Sequence, residues 1–424
     1  MANSLFTPIL NDRTRAPNFF NGRLLTGEAM TDEQRAQRVA NELLAQAVGD
    51  GVAYGLEVSP APLVNTIETP VVSVKSGVAI NRRGEILLLA GDTQVRLVRP
   101  AEAIPEPDKI FRACVPVTTG TYIADAGVYV LTLSSVRAGN GLAQVSGLGD
   151  TPARCNVKYV VDAVELRLLE LPVDDTTLGD VAHLRNLVAY QCFGGGDWLD
   201  FATDPFGSRG APTTLLDSIR DSALTDCDVP LALVYWTGSG GIQFIDLWSV
   251  RRRLAPLRTA ETFPAFSEAR RVVAEAMVLQ FDEHVTSLIG AGQLHSGIIG
   301  TTYFRYLPAA GLLPLAASGR PGANHQQFFA TNTTRGPSFF GGASLNDLLR
   351  RSLDYPPIDL QSAQLIWLYF GVENMRAANA PVAGITLPRP FVAFANGNLP
   401  YLANGRFDVS LWDYSNYALV PPQI

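Results

Sequence analysis

A single long helical pattern between two β-rich regions constrains the fold of this chain more than any other feature. Apolar residues recur at helical spacing from Ser267 to Gly290, a stretch of about six turns. They are Ala269, Val272, Val273, Ala276, Met277, Val285, Leu288 and Ile289. Little other helix is predicted, so this one must pack across its own domain or against copies of itself. We expect packing between copies, with Val273 and Met277 at the contact.

Strand and turn signals dominate on both sides of this helix. Residues 81–84 and 238–241 are rich in the residue types that form hairpin tips. The apolar run Leu365 to Phe370 is predicted to be a buried strand. Residues 137–154 and 192–213 are rich in small residues, and we predict long loops there.

These patterns predict an α+β fold that is predominantly β. At 424 residues the chain is too long for one ordinary core. We divide it into an N-terminal segment with a helix, a β-sandwich or barrel-like region, the long central helix, and a C-terminal β-rich domain. The predicted boundaries are residues 1–50, 51–258, 259–295 and 296–424.

Composition favours a protein whose surface is covered by neighbours. Apolar residues make up 47% and charged residues 17% of the chain, against about 25% charged for an average soluble protein. A monomer with an uncharged surface is the alternative. The net charge of −7 gives no electrostatic basis for binding nucleic acid or an anionic membrane. No apolar run approaches the roughly 18 residues of a membrane span. The first residues lack a secretion signal. We therefore expect a soluble protein, assembled in the cytoplasm, with no membrane insertion.

No catalytic or cofactor motif stands out. The sequence contains no phosphate-binding P-loop, no Gly-x-Ser-x-Gly elbow and no His-Glu-x-x-His pair. Asp282, Glu283 and His284 are adjacent on the long helix, with His295 just beyond, but this spacing does not force a metal site. The four cysteines are far apart in sequence and are interpreted as buried free thiols. We predict no enzyme activity, no cofactor and no bound metal.

The N-terminal segment has the features of a docking element. Phe19 and Phe20 precede a Gly that can turn the chain, and Arg23 follows. Thr31 and Gln34 have the form of a capping box for a helix that Gly49 ends. The two phenylalanines could form a staple inside the chain or a plug for a neighbouring subunit, and we favour the staple.

Two further regions are candidates for contact with other subunits. Arg251 and Arg252 belong to the chain's one basic run, for which an acidic groove on a partner is the best functional interpretation. The segment near the C-terminus that contains Trp412, Tyr414 and Tyr417 has too many aromatic residues for a free, solvent-exposed tail. They must be buried by their own domain or by a neighbour.

Several motifs resemble a family of structural proteins from extracellular contractile injection systems, which are phage-tail-like bacterial particles. They are Phe19-Phe20-Asn21-Gly22-Arg23-Leu24-Leu25-Thr26, Gly51-Val52-Ala53-Tyr54-Gly55-Leu56-Glu57-Val58, and the segment from Gly77 to Ile86. In the last, Asn81 stands where the family has Asp, and one residue is missing before Glu85. The order of β region, helix and β region is also similar to the trimeric baseplate adaptor of type VI secretion.

The resemblance implies a non-enzymatic structural subunit at the baseplate or its periphery. Its partners would be copies of itself, with a trimer as one form, and other baseplate, sheath or spike subunits. The particle would remain in the cytoplasm or be released. Two alternatives stay open: a receptor- or glycan-binding tail module, and a glycan hydrolase on a β scaffold.

Overall fold

The computed structural model describes residues 15–61, 70–98, 123, 125–145, 154–195, 214–220, 222–256, 268–317, 319–352, 355–362, 364–379 and 387–397. Within these ranges the fold is α+β and predominantly β, as predicted. The helices are α1 (Gly27–Val48), α2 (Asp175–Gly179), α3 (Leu184–Cys192), α4 (Glu268–Gly290), α5 (His325–Phe328), α6 (Leu345–Ser352) and α7 (Val372–Asn379). The strands up to the long helix are β1 (Gly51–Gly55), β2 (Val58–Pro60), β3 (Val71–Val74), β4 (Gly77–Ile80), β5 (Ile86–Leu89), β6 (Thr93–Arg96), β7 (Gly127–Val145), β8 (Arg154–Glu170), β9 (Asp228–Thr237) and β10 (Gly241–Asp246). Those after it are β11 (Tyr306–Leu307), β12 (Ala310–Pro314), β13 (Thr333–Phe340), β14 (Ile358–Asp359), β15 (Leu365–Gly371) and β16 (Phe391–Asn396).

The N-terminal region consists of three antiparallel sheets around a shared core. Two sheets have three strands each, in the orders β1-β4-β5 and β2-β3-β6, and the third has the order β10-β9-β7-β8. Apolar side chains from all three meet in one cluster, which includes Val52, Leu56, Val74, Leu87, Leu131, Leu133 and Leu231. The opposite face of the four-stranded sheet is covered by α3 and a 3-10 turn at Leu215–Ile219. Since both faces of this sheet are buried, its central strands carry continuous apolar runs.

Both predicted hairpin tips are confirmed. At the first, the Asn81 side-chain oxygen accepts hydrogen bonds from the amides of Arg83 and Glu85. Gly84 adopts a positive φ of 81° there, and a Cβ at this position would lie 2.1 Å from the carbonyl oxygen of Glu42 in α1. The second tip joins β9 to β10. Local turn chemistry therefore fixes these two reversals, as residue types at turns usually do.

The prediction of a loop over residues 137–154 is wrong for the part that the structure describes. β7 continues to Val145, and β8 begins at Arg154. The two strands pair along almost their whole length, from Tyr129 with Glu170 to Val145 with Arg154. The small residues of this stretch suggested a loop, but the strands continue on both sides of Gly141, which takes a positive φ of 68°.

The C-terminal region is built on a sheet of order β12-β16-β15-β13, in which β13 and β15 run parallel. The predicted strand from Leu365 to Phe370 is its β15. The second half of α4 covers one face. There the Phe281 ring lies 5.3 Å from the rings of both Phe304 and Phe394. On the other face, α6 contributes its buried Leu348. The long helix is therefore a core element of the C-terminal domain.

The cysteines differ from the expectation of four free thiols. Cys192 is free and buried, and burial raises the pKa of its thiol to about 12. Cys227, in contrast, is disulfide-bonded. Sequence spacing gave no sign of this bond, because a disulfide requires only that two Cα atoms come within about 7 Å in the folded chain.

Candidate functional site

The N-terminal segment closes a turn on itself ahead of α1. The Arg23 amide donates to the carbonyl of Phe20 at 3.1 Å, and its guanidinium donates to the carbonyl of Asn18. Gly22 allows this reversal by adopting a φ of 92°. The Arg23 guanidinium also lies 5.9 Å from the centre of the Phe19 ring. The turn is therefore closed by contacts among its own residues.

The phenylalanines of this turn are exposed, so the expectation of an internal staple is wrong. Phe20 has 64% of its surface exposed and Phe19 has 48%. The helix also begins one turn earlier than predicted, because Thr26 caps it by accepting a hydrogen bond from the Ala29 amide. Thr31 is inside the helix and donates to the carbonyl of Gly27.

Helix α1 contacts the first hairpin tip near its C-terminal end, and its buried residues are Ala29, Ala36 and Ala45. The Gln46 side chain donates to the carbonyl of Arg83 at 2.9 Å, and the Glu42 carbonyl packs on the same hairpin tip. At 100° per residue, Leu44 lies about 160° from Gln46 around the helix and Leu43 about 60° from it, so Leu44 points away from this contact. Both leucines are exposed, Leu44 by 69%. Gly49 ends the helix as predicted, with a φ of 117°.

The turn and α1 thus carry many exposed apolar side chains, which we together call the N-terminal surface. Its large members are Phe19, Phe20, Leu24, Leu25, Met30, Leu43, Leu44 and Val48. At roughly 80–100 Å² exposed for each, they total on the order of 600–800 Å². These side chains are spread along a helix of about 33 Å and the turn before it. Their total exposed area is comparable with the roughly 800 Å² that each partner buries in a standard interface.

The arginines predicted to meet a partner are internal, and that prediction is wrong. The Arg251 guanidinium donates to the carbonyl oxygens of Gly55 and Leu56. Arg252 donates to the carbonyl of Trp248 at 2.7 Å and to the carbonyl of Cys192 at 3.3 Å. Burial lowers the pKa of Arg252 to about 10. Both side chains tie backbone segments together, because a guanidinium offers five donors that can satisfy several carbonyls at once.

The prediction that α4 packs against copies of itself through Met277 is also wrong. Met277 is buried in a cluster with Ala189 and Phe193, against which Val273 packs as a half-buried side chain. The N-terminal half of α4 thus covers α3, while its C-terminal half enters the C-terminal core. Apolar residues on several sides of this helix find partners within the chain, which periodicity alone could not reveal.

A buried polar cluster joins the two domains at this point. Asp246 is fully buried and accepts hydrogen bonds from Arg185 Nε at 2.7 Å and Gln280 Nε2 at 2.8 Å. Its other oxygen accepts from the amide and hydroxyl of Ser249, at 2.9 and 2.6 Å. Burial alone would raise the pKa of Asp246, but Arg185 and these donors hold it below the usual value.

Glu283 completes the cluster from α4. Its carboxylate accepts from the Leu247 amide at 3.2 Å and lies 3.3 Å from Arg185 Nη2. Burial, followed by repulsion from Asp246, raises the pKa of Glu283 to about 7. Neighbouring His284 is buried against the Phe304 ring, and burial lowers its pKa to about 3. Sequence analysis missed this cluster because its members come from three separate elements.

The cluster has the geometry of an ion-pair network. All four donors around Asp246 come from the chain itself, and they occupy both of its oxygens. A shallow pocket of about 280 Å³ lies beside it, with Met277 and Gln280 among its lining residues. The stacked rings of Tyr190 and Tyr306 also line it, with centroids 3.5 Å apart. Burial raises the pKa of Tyr190 to about 12, far from the range of an acid or base at neutral pH.

The remaining predictions concern the C-terminal aromatic residues, a metal site and membrane-spanning helices. Trp412, Tyr414 and Tyr417 lie outside the described residues. Among the residues that the structure does describe, no three His, Cys, Asp or Glu side chains are grouped as metal ligands. No helix in those ranges is both long and apolar enough to cross a membrane.

Comparison with known proteins identified no relative. No protein-family model matches the chain, and no curated protein matches it. The resemblance to contractile injection systems therefore depends on the quoted motifs alone.

Proposed function

We propose that this protein is a non-enzymatic structural subunit of a contractile injection particle, at the baseplate or its periphery, and that it attaches through its N-terminal surface. The observation that carries the proposal is the exposure of the motif itself. Phe19, Phe20, Leu24 and Leu25 belong to the sequence on which the resemblance depends, and all four are exposed in the isolated chain. A motif that served only to stabilise the fold would be buried.

The arrangement of α1 supports the same conclusion. A free helix of this length would be marginal in water, since most helical stability comes from packing an apolar face. Here Leu43 and Leu44 lie on a face that the described chain does not cover. A partner subunit that covers this face would stabilise both the helix and the turn before it.

The two alternatives have less support. A glycan-binding module needs several exposed aromatic rings at one site, but Phe304, Phe328, Phe329 and Phe394 of the C-terminal domain are buried and Phe339 is the exposed phenylalanine among its described residues. A hydrolase needs a carboxylate that substrate can reach. Asp246, which shares Arg185 with Glu283, is enclosed by its own chain.

Particle incorporation tests the proposal. The change is Leu43→Asp with Leu44→Asp, introduced in the producing bacterium, followed by quantitative mass spectrometry of purified particles. The matched control is Val181→Asp, an apolar residue with 68% exposure elsewhere on the chain. We expect both purified variants to keep their thermal stability and only the double variant to be lost from particles. Normal incorporation of the double variant, or absence of the wild-type protein from particles, would contradict the proposal.

A further inference from the structure

A second exposed surface lies on the ribbon formed by the far ends of β7 and β8. β9 pairs with β7 only over Gly127 to Ser134, so the paired strands beyond that point extend past the sheet. β8 is at the edge of the sheet, and among the described strands its one hydrogen-bonded neighbour is β7. Three successive apolar side chains on it are exposed: Tyr159 by 57%, Val160 by 53% and Val161 by 41%.

Exposed edge strands invite pairing with another chain, and proteins usually protect them with charges or bulges. This edge has two opposite charges, Lys158 and Asp162, each two residues from Val160. A strand paired antiparallel with its own copy about Val160 would place each Lys158 opposite Asp162 of the second copy. Tyr159 would then face Val161 of the second copy. The segment is thus complementary to itself in both charge and apolar character.

We propose that residues 158–162 form a two-fold interface with the same segment of a second copy of this chain. The axis passes between the two copies of Val160, which face each other. Two-fold symmetry produces each contact twice, as expected for an isologous interface. The result is two ion pairs and two contacts of an aromatic with a β-branched residue, both of which stabilise antiparallel strands.

The present contacts of the two charges are compatible with this pairing. Arg137 Nε donates to Asp162 Oδ1 at 3.0 Å, and a carboxylate can accept further bonds through its second oxygen. The Lys158 ammonium lies 5.0 Å from the Tyr159 ring centre, so it is held beside the segment that would pair. The joined sheets would run continuously across the axis, from β10 of one copy to β10 of the other. This interface is separate from the N-terminal surface and does not depend on its role.

Charge-swap variants test the pairing. Lys158→Asp and Asp162→Lys should each weaken self-association of the full chain about tenfold, because like charges then face each other twice. Mixing the two variants should restore association as a heterodimer, since the negative charges of one face the positive charges of the other. The variant with both substitutions should dimerise like the wild type. Sedimentation velocity over a concentration series measures all four cases.

Crosslinking provides a readout that does not depend on charge. Val160→Cys should form a covalent dimer under mild copper-phenanthroline oxidation, in which two thiols lose their hydrogens to the oxidant and join as a disulfide. Leu142→Cys is the matched control, because Leu142 is 71% exposed on the other strand of the ribbon. A wild-type chain that stays monomeric, charge variants that associate like the wild type, or equal crosslinking at the two positions would overturn the proposal. So would crosslinking of Val160→Cys to a different protein in place of a second copy.

Discussion

The raised pKa of Glu283 predicts a specific pH dependence of stability. The pKa of Glu283 is about 7 in the folded chain, whereas the ordinary pKa of an exposed glutamate is 4.5. The folded state therefore binds this proton more tightly than the unfolded state does. The resulting stabilisation is fully present below about pH 4.5 and is lost as pH rises through 7. At about 1.4 kcal/mol per pKa unit, the full shift corresponds to about 3 kcal/mol.

Not all of this will be measured, because a quarter of the Glu283 side chain is exposed. We therefore expect about 1–3 kcal/mol between pH 5 and pH 8. The shifted groups that face Glu283 do not change their ionisation between pH 5 and pH 8, so the pH dependence from this cluster comes from Glu283. Asp246 has a lowered pKa, so its stabilisation is lost only as pH falls below the usual carboxyl range. His284, with a pKa near 3, stays neutral.

Glu283→Gln is the change that tests this reasoning. Glutamine keeps the shape and the oxygen that accepts the Leu247 amide, but it cannot ionise. Urea unfolding at pH 5 and pH 8 should show that the wild type loses about 1–3 kcal/mol more than the variant over this interval. Glu275→Gln is the control, because Glu275 is on the same helix but exposed and paired with Arg253. If the wild type and Glu283→Gln lose the same stability, the assigned environment of Glu283 is wrong.

Two further predictions separate buried from exposed residues. Phe281→Ala should lower the unfolding free energy by about 3–5 kcal/mol, since it empties a core position between two rings, whereas Phe20→Ala should change it by less than about 0.5 kcal/mol. Urea unfolding compares the two, and an equal loss would mean that Phe20 is buried after all. Met277→Asp should lower the melting temperature by the same amount at low and high protein concentration, because Met277 packs within the chain. A loss that shrinks as concentration rises would instead indicate an interface between copies.

Sequence reasoning succeeded where structure depends on neighbouring residues. The helix ending at Gly290 and the tips at residues 81–84 and 238–241 follow from periodicity and turn chemistry, and all are present. It failed over residues 137–145, where a stretch rich in small residues suggested a loop. A glycine is equally compatible with a turn and with an extended pair, and only the partner strand decides between them.

The direction of packing was the second source of error. The helical pattern of α1 was correct, yet it does not reveal that Gln46 and Glu42 make the contact with the hairpin tip while Leu43 and Leu44 stay exposed. The pairing of Asp246 with Glu283 through Arg185 was equally hidden. Such contacts are set by tertiary structure, which brings together residues far apart in sequence.

The position of α4 has a consequence for how the whole molecule unfolds. Its first half covers Ala189 and Phe193, and its second half carries Phe281 into the C-terminal core. If either domain unfolded, one half of α4 would therefore lose the residues that it packs against. The two β regions should melt in a single cooperative transition. Calorimetry should give one peak, and a fragment that lacks α4 should not fold to a stable state.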